Sequence, residues 1–228
     1  MNVLVAGAST DTGKQIVNLL LERDHNVRAM VANNNEAEEL ERIGANPVIA
    51  DLEQDIRFVV EGCDAVIFAA GIGEERDMAK IDAIDKDGAI RLIKACEENA
   101  VNRFVMLSTL GTDKVEEAPS QLQHYLKAKA AADAKLEKSR LNYTIIKTGK
   151  LTDNDSTGKI QAAERLKDID AEISKADVAA TVAEALNNEN SYRKSFGISG
   201  GDDPVSVALI TMSRKDTIGG ALSSEKEQ

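Results

Sequence analysis

The chain has 228 residues, 43% of them hydrophobic but only 3% aromatic and none Trp, so its core must be built from Val, Ile, Leu and Ala. Acidic residues outnumber basic ones by 39 to 28, a formal charge of −11 that repels phosphate backbones and anionic lipid and argues against nucleic-acid and membrane-surface partners. No run approaches the ~20 apolar residues of a membrane span, and Cys63 and Cys96 lack CxxC spacing, which makes them buried free thiols suited to a reducing compartment.

The chain enters its first strand directly, without the basic and apolar stretches of a secretory signal, and a soluble cytoplasmic protein is expected. "NVLVA" (2–6) is an apolar run that reads as a buried strand. "TGKQIVNLLLERD" follows with Ile16, Leu19, Leu20 and Arg23 at helical spacing. "NVRAMV" (26–31) is a second strand, "EAEELERIG" (36–44) a short helix closed by Gly44, and "NPVIADL" (46–52) a third strand. "DAVIFAAG" (64–71) is a fourth strand, "DGAIRLIKACEENAV" (87–101) a helix and "RFVMLST" (103–109) a fifth strand. "LQHYLKAKAAADAKLEKS" (122–139) is a long helix and "NYTIIKTG" (142–149) a sixth strand. Beyond 150 the pattern loosens. "LTDNDSTGKI" is loop-like, "KADVAATVAEALNN" is a helix with Val178, Val182 and Leu186 on one face, and "SFGIS" is a last strand.

Strands that are apolar on both faces and separated by single helices predict a doubly wound parallel α/β sheet with helices on both sides. One domain is expected over 1–210, with 150–210 as its substrate-side portion and 211–228 as a mobile tail. In such a sheet, ligands bind beyond the carboxyl ends of the strands near the topological switch point. "VAGASTDTG" puts a glycine turn and a helix start there. Gly7 makes the turn, Gly13 allows close packing, and the N–H groups from Thr10 through Asp11 and Thr12 to Gly13, with Ser9 beside them, form an anion site. Thr10 occupies the slot where a third glycine lets backbone approach a pyrophosphate, and its hydroxyl either fills that space or donates to the phosphate. Asp11 adds a negative charge, partly offset by Lys14. At the end of the second strand Ala32 is neither the acid that binds a ribose hydroxyl nor the Arg that takes a 2′-phosphate. The asparagines 33–35 read as the turn that caps the next helix. Asp51 and Leu52 can meet an adenine edge, and Ala69, Ala70 and Gly71 leave room for a ribose.

"YLKAK" sets Tyr125 and Lys129 four residues apart on one helix face. An ammonium near a phenol favours the phenolate and fits it for proton transfer, and the lysine can also hold a ribose hydroxyl. Ser108, at the carboxyl end of the fifth strand, would orient a carbonyl. His25 and His124 read as ordinary side chains, and no cluster has metal-ligand spacing.

Through "VLVAGAS…TG", "DAVIFAAG", "RFVMLSTLGTD", "HYLKAK…AD", "LNYTIIKTGKLTD", "STGKI" and "ISKADVA", the chain resembles the atypical short-chain dehydrogenase/reductase superfamily over residues 1–210. Within it the chain is similar to the single-domain NAD(P)H-binding group that includes NmrA-like and flavin/biliverdin-reductase-like proteins. The resemblance implies a Rossmann-like core, NAD or NADP on the glycine loop, Tyr125 as proton donor, Lys129 as its partner and ribose ligand, and Ser108 as carbonyl orienter. The chain departs from the family at Thr10, at Ala32 in place of Arg or Lys, and at Lys147-Thr148-Gly149 in place of Arg-Pro-Gly, with Thr148 on the nicotinamide side. Losing a charge-assisted phosphate contact costs roughly 1.5–3 kcal/mol, about 10- to 100-fold in affinity, so Ala32 disfavours NADP. The expected function is an NAD(P)-dependent oxidoreductase of small carbonyl or alcohol substrates, monomeric or homodimeric. The alternatives are a non-catalytic dinucleotide sensor or scaffold with a weakened site, and a flavin-reductase-like activity that needs no tyrosine.

Overall fold

Along β1 (Asn2–Ala6), Val3 and Val5 face one side of the sheet and Leu4 and Ala6 the other, and all four are fully buried. The same alternation recurs in β4 (Ala65–Phe68) and β5 (Arg103–Thr109), so the strands stand between two apolar layers. The computed structural model describes residues 1–71, 77–166, 168 and 170–212.

The remaining elements are α1 (Asp11–Glu22), β2 (Asn26–Val31), α2 (Asn34–Arg42) and β3 (Asn46–Ile49), then α3 (78–98), α4 (Ser120–Glu137) and β6 (Asn142–Thr148). They are followed by β7 (Lys150–Thr152), β8 (Lys159–Ala163), β9 (Glu172–Ser174), α5 (Lys175–Asn187), β10 (Lys194–Gly200), β11 (Asp203–Pro204) and α6 (205–212). Among the described residues nine strands form one sheet in the order β11-β8-β10-β6-β5-β4-β1-β2-β3. From β3 to β10, leaving β8 and β11 aside, every pairing is parallel, and β8 joins both its neighbours antiparallel. The chain runs outward from β1 through β2 to β3, then returns to start β4 on the other side of β1. That reversal makes the carboxyl ends of β1 and β4 the switch point of a doubly wound sheet.

Two parts of the chain differ from the sequence reading. The helix expected at 87–101 begins earlier, because α3 is α-helical at Met78–Lys80, π-helical over Ile81–Gly88 and α-helical again over Ala89–Glu98. This segment buries Ile81, Asp85 and Gly88, a set that includes a carboxylate. After residue 150, "LTDNDSTGKI" is not wholly loop, since it contributes β7 and the start of β8, and β9 pairs with β7 in a small second sheet. Residues 211 and 212, expected in the tail, complete α6, where Val205, Ala208, Leu209 and Met212 are buried at helical spacing. The remainder of the expected tail, 213–228, lies outside the described residues.

At the edge of the sheet opposite the switch point, Arg103 is 4% exposed. Its guanidinium donates to the carbonyls of Asn142, Ala185 and Leu186 and to Thr144 Oγ1, and stacks 4.4 Å from the Tyr192 ring centroid. Burial pushes its pKa down to about 10, and the guanidinium stays charged at neutral pH. Arg103→Met is expected to leave those acceptors without a donor and cost about 3 kcal/mol, read as a lower urea midpoint. An unchanged midpoint would remove Arg103 from the framework.

Candidate functional site

Gly7 leaves β1 at φ +84°, and a Cβ built on it would lie 2.5 Å from Ala70 N and 2.6 Å from Ala69 C. Only glycine permits this approach of the β1 turn to the end of β4. A Cβ on Gly13 would fall on the Gly7 carbonyl oxygen, so the helix start is packed against the same turn. Thr10 is the N-cap of α1. Its Oγ1 donates to Gly7 O at 2.9 Å and accepts from Gly13 N at 3.0 Å. The hydroxyl is thus folded into the loop as a cap, while Thr10 remains among the residues that line the cavity at this edge.

Gly7, Ser9, Thr10, Ala32, Asp51, Leu52, Ala70 and Gly71 line one cavity of about 370 Å³, together with Met30, Val31, Ala50 and Ile84. Eight of the residues assigned to a dinucleotide from the sequence therefore share one space at the switch point. Asp11, Thr12 and Gly13 stand behind it in the first turn of α1, and Ala69 is packed against the core. Asp51 Oδ1 accepts from Glu53 N at 2.9 Å, forming the turn that follows β3.

Asp11 is neutralised from an unexpected direction. Lys14 pairs with Glu39 at 2.7 Å, whereas Lys175 at the start of α5 sits 2.7 Å from both Asp11 Oδ2 and Asp153 Oδ1. The hydrogen bond and charge of Lys175 hold the Asp11 carboxyl below its ordinary range. Nothing near Asp11 in sequence announces Lys175, because the contact spans 164 positions.

On α4 the side chains at steps of four form a stripe of Tyr125, Lys129 and Asp133. Tyr125 is half-buried and lines a second cavity of about 450 Å³ with Thr109, Leu110, Gly111, Leu122 and Gly149 among its walls. Lys129 is buried, its Nζ 3.0 Å from Asp85 Oδ1 and 3.3 Å from Leu107 O. That ammonium lies 3.5 Å from the position of a Cβ on Gly71, at the border of the first cavity. Burial pushes the Lys129 pKa down, but Tyr125, Asp85 and Asp133 outweigh it, and the net shift is upward.

Strand parity puts Ser108 with Phe104 and Met106 on the α4 side, where its Oγ donates to Asp133 Oδ2 at 3.0 Å, and Ser108 is not among the residues that line the Tyr125 cavity. Thr112 Oγ1 donates to the same oxygen at 3.2 Å, and Lys147 Nζ lies 3.6 Å away. Burial nevertheless pushes the Asp133 carboxyl up, with Lys147, Ser108 and Thr112 pulling only part of the way back. Thr148 is likewise buried, its Oγ1 3.5 Å from Ser108 O, while its neighbours Gly149 and Lys150 line the Tyr125 cavity. Asp85, Asp133 and Lys147 were not foreseen as a charged group, since they lie on three different elements and only the packing of α4 brings them together. His124 Nε2 lies 3.3 Å from Asp82 Oδ2, so α4 meets the π-helical turn twice. Among the described residues no group of His, Cys, Asp or Glu is placed to hold a metal, and no helix is long and apolar enough to cross a membrane.

A parallel sheet that reverses at β1 and β4, with a glycine turn, a capped helix start and a cavity at that reversal, defines a dinucleotide-binding protein of the Rossmann class. The family model described as NAD(P)H-binding matches residues 7–189, and the chain belongs to that family. It is 38% identical over 213 residues to the uncharacterized sugar epimerase YhfK of Bacillus subtilis (strain 168), covering 92% of this chain and 99% of that protein. A solved structure of a candidate NAD-dependent epimerase/dehydratase from Bacillus halodurans superposes with TM-score 0.89 at 35% identity, covering 92% of this chain and 99% of its own. The oxidoreductase ylbE from Lactococcus lactis superposes with TM-score 0.83 at 26% identity, over 94% of this chain and 97% of its own. These likenesses agree with the resemblance drawn from the motifs.

The Lys129–Asp85 pair gives the site a measurable signature. Lys129 holds its proton more tightly folded than unfolded, so its contribution to stability is complete below the ordinary lysine value of 10.5 and is lost as pH rises through the raised one. Asp85→Asn leaves a buried ammonium without its counter-charge and is expected to cost about 3 kcal/mol at neutral pH. Urea midpoints read that loss, and the gap between the two proteins should narrow at alkaline pH, where the wild type also loses the pair as Lys129 deprotonates. A gap that does not change with pH would contradict the pairing.

Proposed function

We propose that the protein is a cytoplasmic NAD(P)-dependent oxidoreductase of the atypical short-chain type, acting on a small carbonyl or alcohol substrate with Tyr125 as its acid/base. The observation that carries this reading is the geometry of α4. Tyr125 opens on one cavity, and one turn later the Lys129 ammonium borders the other at Gly71. A substrate in the first and a dinucleotide in the second would meet along this helix.

The residues at the switch point fit the group: Gly7, Ser9 and Thr10 would hold a phosphate, and Gly71 with Lys129 would hold a ribose. The chemistry that a reduced dinucleotide would supply there is a hydride for the substrate carbon. Tyr125 gives its hydroxyl proton to the carbonyl oxygen, so an alcohol leaves, and in the opposite direction it takes that proton back. Lys129 donates to a ribose hydroxyl, and its charge favours the phenolate that remains. Thr109 lines the Tyr125 cavity, and its hydroxyl makes only long contacts, 3.3 Å to Thr148 O and 3.4 Å to Leu110 O. In this reading Thr109, and not Ser108, takes the orienting role. The apolar walls contributed by Leu110, Pro119, Leu122 and Leu126 limit water around the transferred proton. The buried free thiols Cys63 and Cys96 suit the reducing compartment proposed.

The withdrawal of Ser108 onto Asp133 favours a second reading, a dinucleotide sensor that does not turn over substrate. Turnover separates the two. With a panel of small aldehydes, ketones and secondary alcohols, Tyr125→Phe is expected to lower kcat by about 10²- to 10⁴-fold and leave dinucleotide affinity unchanged. A variant that keeps full turnover would point to chemistry without the tyrosine, as in flavin reduction. A wild-type protein that binds dinucleotide and turns over nothing in the panel would favour the sensor.

A further inference from the structure

We propose that Glu36, in the first turn of α2, selects NAD(H) over NADP(H) by placing a fixed carboxylate at the Ala32 end of the dinucleotide cavity. The inference rests on the dinucleotide reading above and adds to it the residue that discriminates. At the end of β2 the side chain of Ala32 offers neither an acceptor nor a charge, which leaves the discriminating position empty in the sequence. The fold supplies a group from one turn further on. Glu36 Oε2 accepts from the Ala32 N–H at 3.1 Å and Oε1 accepts from Asn33 Nδ2 at 2.9 Å. Asn33 Oδ1 in turn accepts from the Glu36 N–H at 3.1 Å, closing a reciprocal cap that fixes the carboxylate.

Ala32 lines the cavity and Glu36 does not, and in this proposal the carboxylate stands at the rim, one hydrogen bond beyond that lining. A carboxylate has about four lone-pair sites, and two are used here. A ribose 2′-hydroxyl arriving at that rim finds an acceptor. A 2′-phosphate, which brings negative charge and acceptors only, finds like charge and loses the Ala32 N–H as a donor. Compensation is missing, because no Lys or Arg is among the described residues that line the cavity. The basic residues on the adjoining elements are engaged elsewhere: Lys14 pairs with Glu39 at 2.7 Å, and Arg28 donates to the carbonyls of Val59 and Glu61 at 2.8 Å.

Glu36→Gln removes the charge while keeping a residue that the capping arrangement accepts, so the fold is expected to persist. Calorimetric titration of both proteins with NADH and with NADPH tests the assignment. The wild type should bind NADH at least about tenfold more tightly than NADPH, and Glu36→Gln should narrow that ratio by about tenfold through a gain in NADPH affinity. A variant-free check uses the wild type alone, where raising salt from about 20 mM to about 300 mM should narrow the same ratio by screening the repulsion. Equal affinities in the wild type, or a ratio that neither Glu36→Gln nor salt changes, would overturn the role of Glu36 and leave dinucleotide binding intact. Binding of neither form would overturn the dinucleotide reading itself and this inference with it.

Discussion

Three backbone segments meet at Gly7 more closely than any side chain permits: the end of β1, the end of β4 at Ala69 and Ala70, and the start of α1 at Gly13. Each is brought there by a different part of the fold. The parallel pairing of β1 with β4 sets the first contact, and the right-handed crossover into α1 sets the second. With this junction closed, Gly7, Ala70 and Gly71 give the cavity at the switch point a floor of small residues. Thr10 serves the same junction by tying Gly7 O to Gly13 N, which is why a β-branched residue is tolerated where the sequence suggested obstruction.

A second dependence runs along α4. Its stripe carries a buried cation and a buried anion, and each is answered by an opposite charge from another element: Lys129 by Asp85 of the π-helical turn, Asp133 by Lys147 of β6. Removing charges from water is costly, and a buried pair of this kind contributes more to a defined arrangement than to net stability. Here the arrangement fixes the rotation of α4 about its axis, and with it the direction in which Tyr125 emerges. The wide π turn supports this by presenting Asp82 and Asp85 to the same helix, where they meet His124 and Lys129.

The parts of the fold that were legible from the sequence are those where local chemistry changes abruptly. β2 and β5 have the expected bounds, each opening at Asn or Arg and followed within two residues of its end by Asn33 or Gly111. The glycine turn was legible because only glycine fits it. Asp85 was not, since a carboxylate in a helical run ordinarily reads as a solvated face, and its burial depends on a turn geometry that has no apolar signature. The position of Ser108 could be read only as far as the strand end, and its partner Asp133 needed the packing of α4. Lys175 was illegible for a simpler reason: it acts on a residue 164 positions away. Beyond 150, short strands such as β8 bury only Ile160 fully, and so they lack the two-sided apolar pattern that marked the central strands.

Lys175 holds two carboxylates with one ammonium, and this joins two segments that are far apart in the sequence. Asp11 and Asp153 compete for the same cation, so whatever neutralises one leaves Lys175 more fully to the other. Asp153 follows β7, whose first residue, Lys150, borders the Tyr125 cavity. Both carboxylates are exposed and stand outside the two cavities, so a single ammonium ties the start of α1 to the segment after β7 at the protein surface.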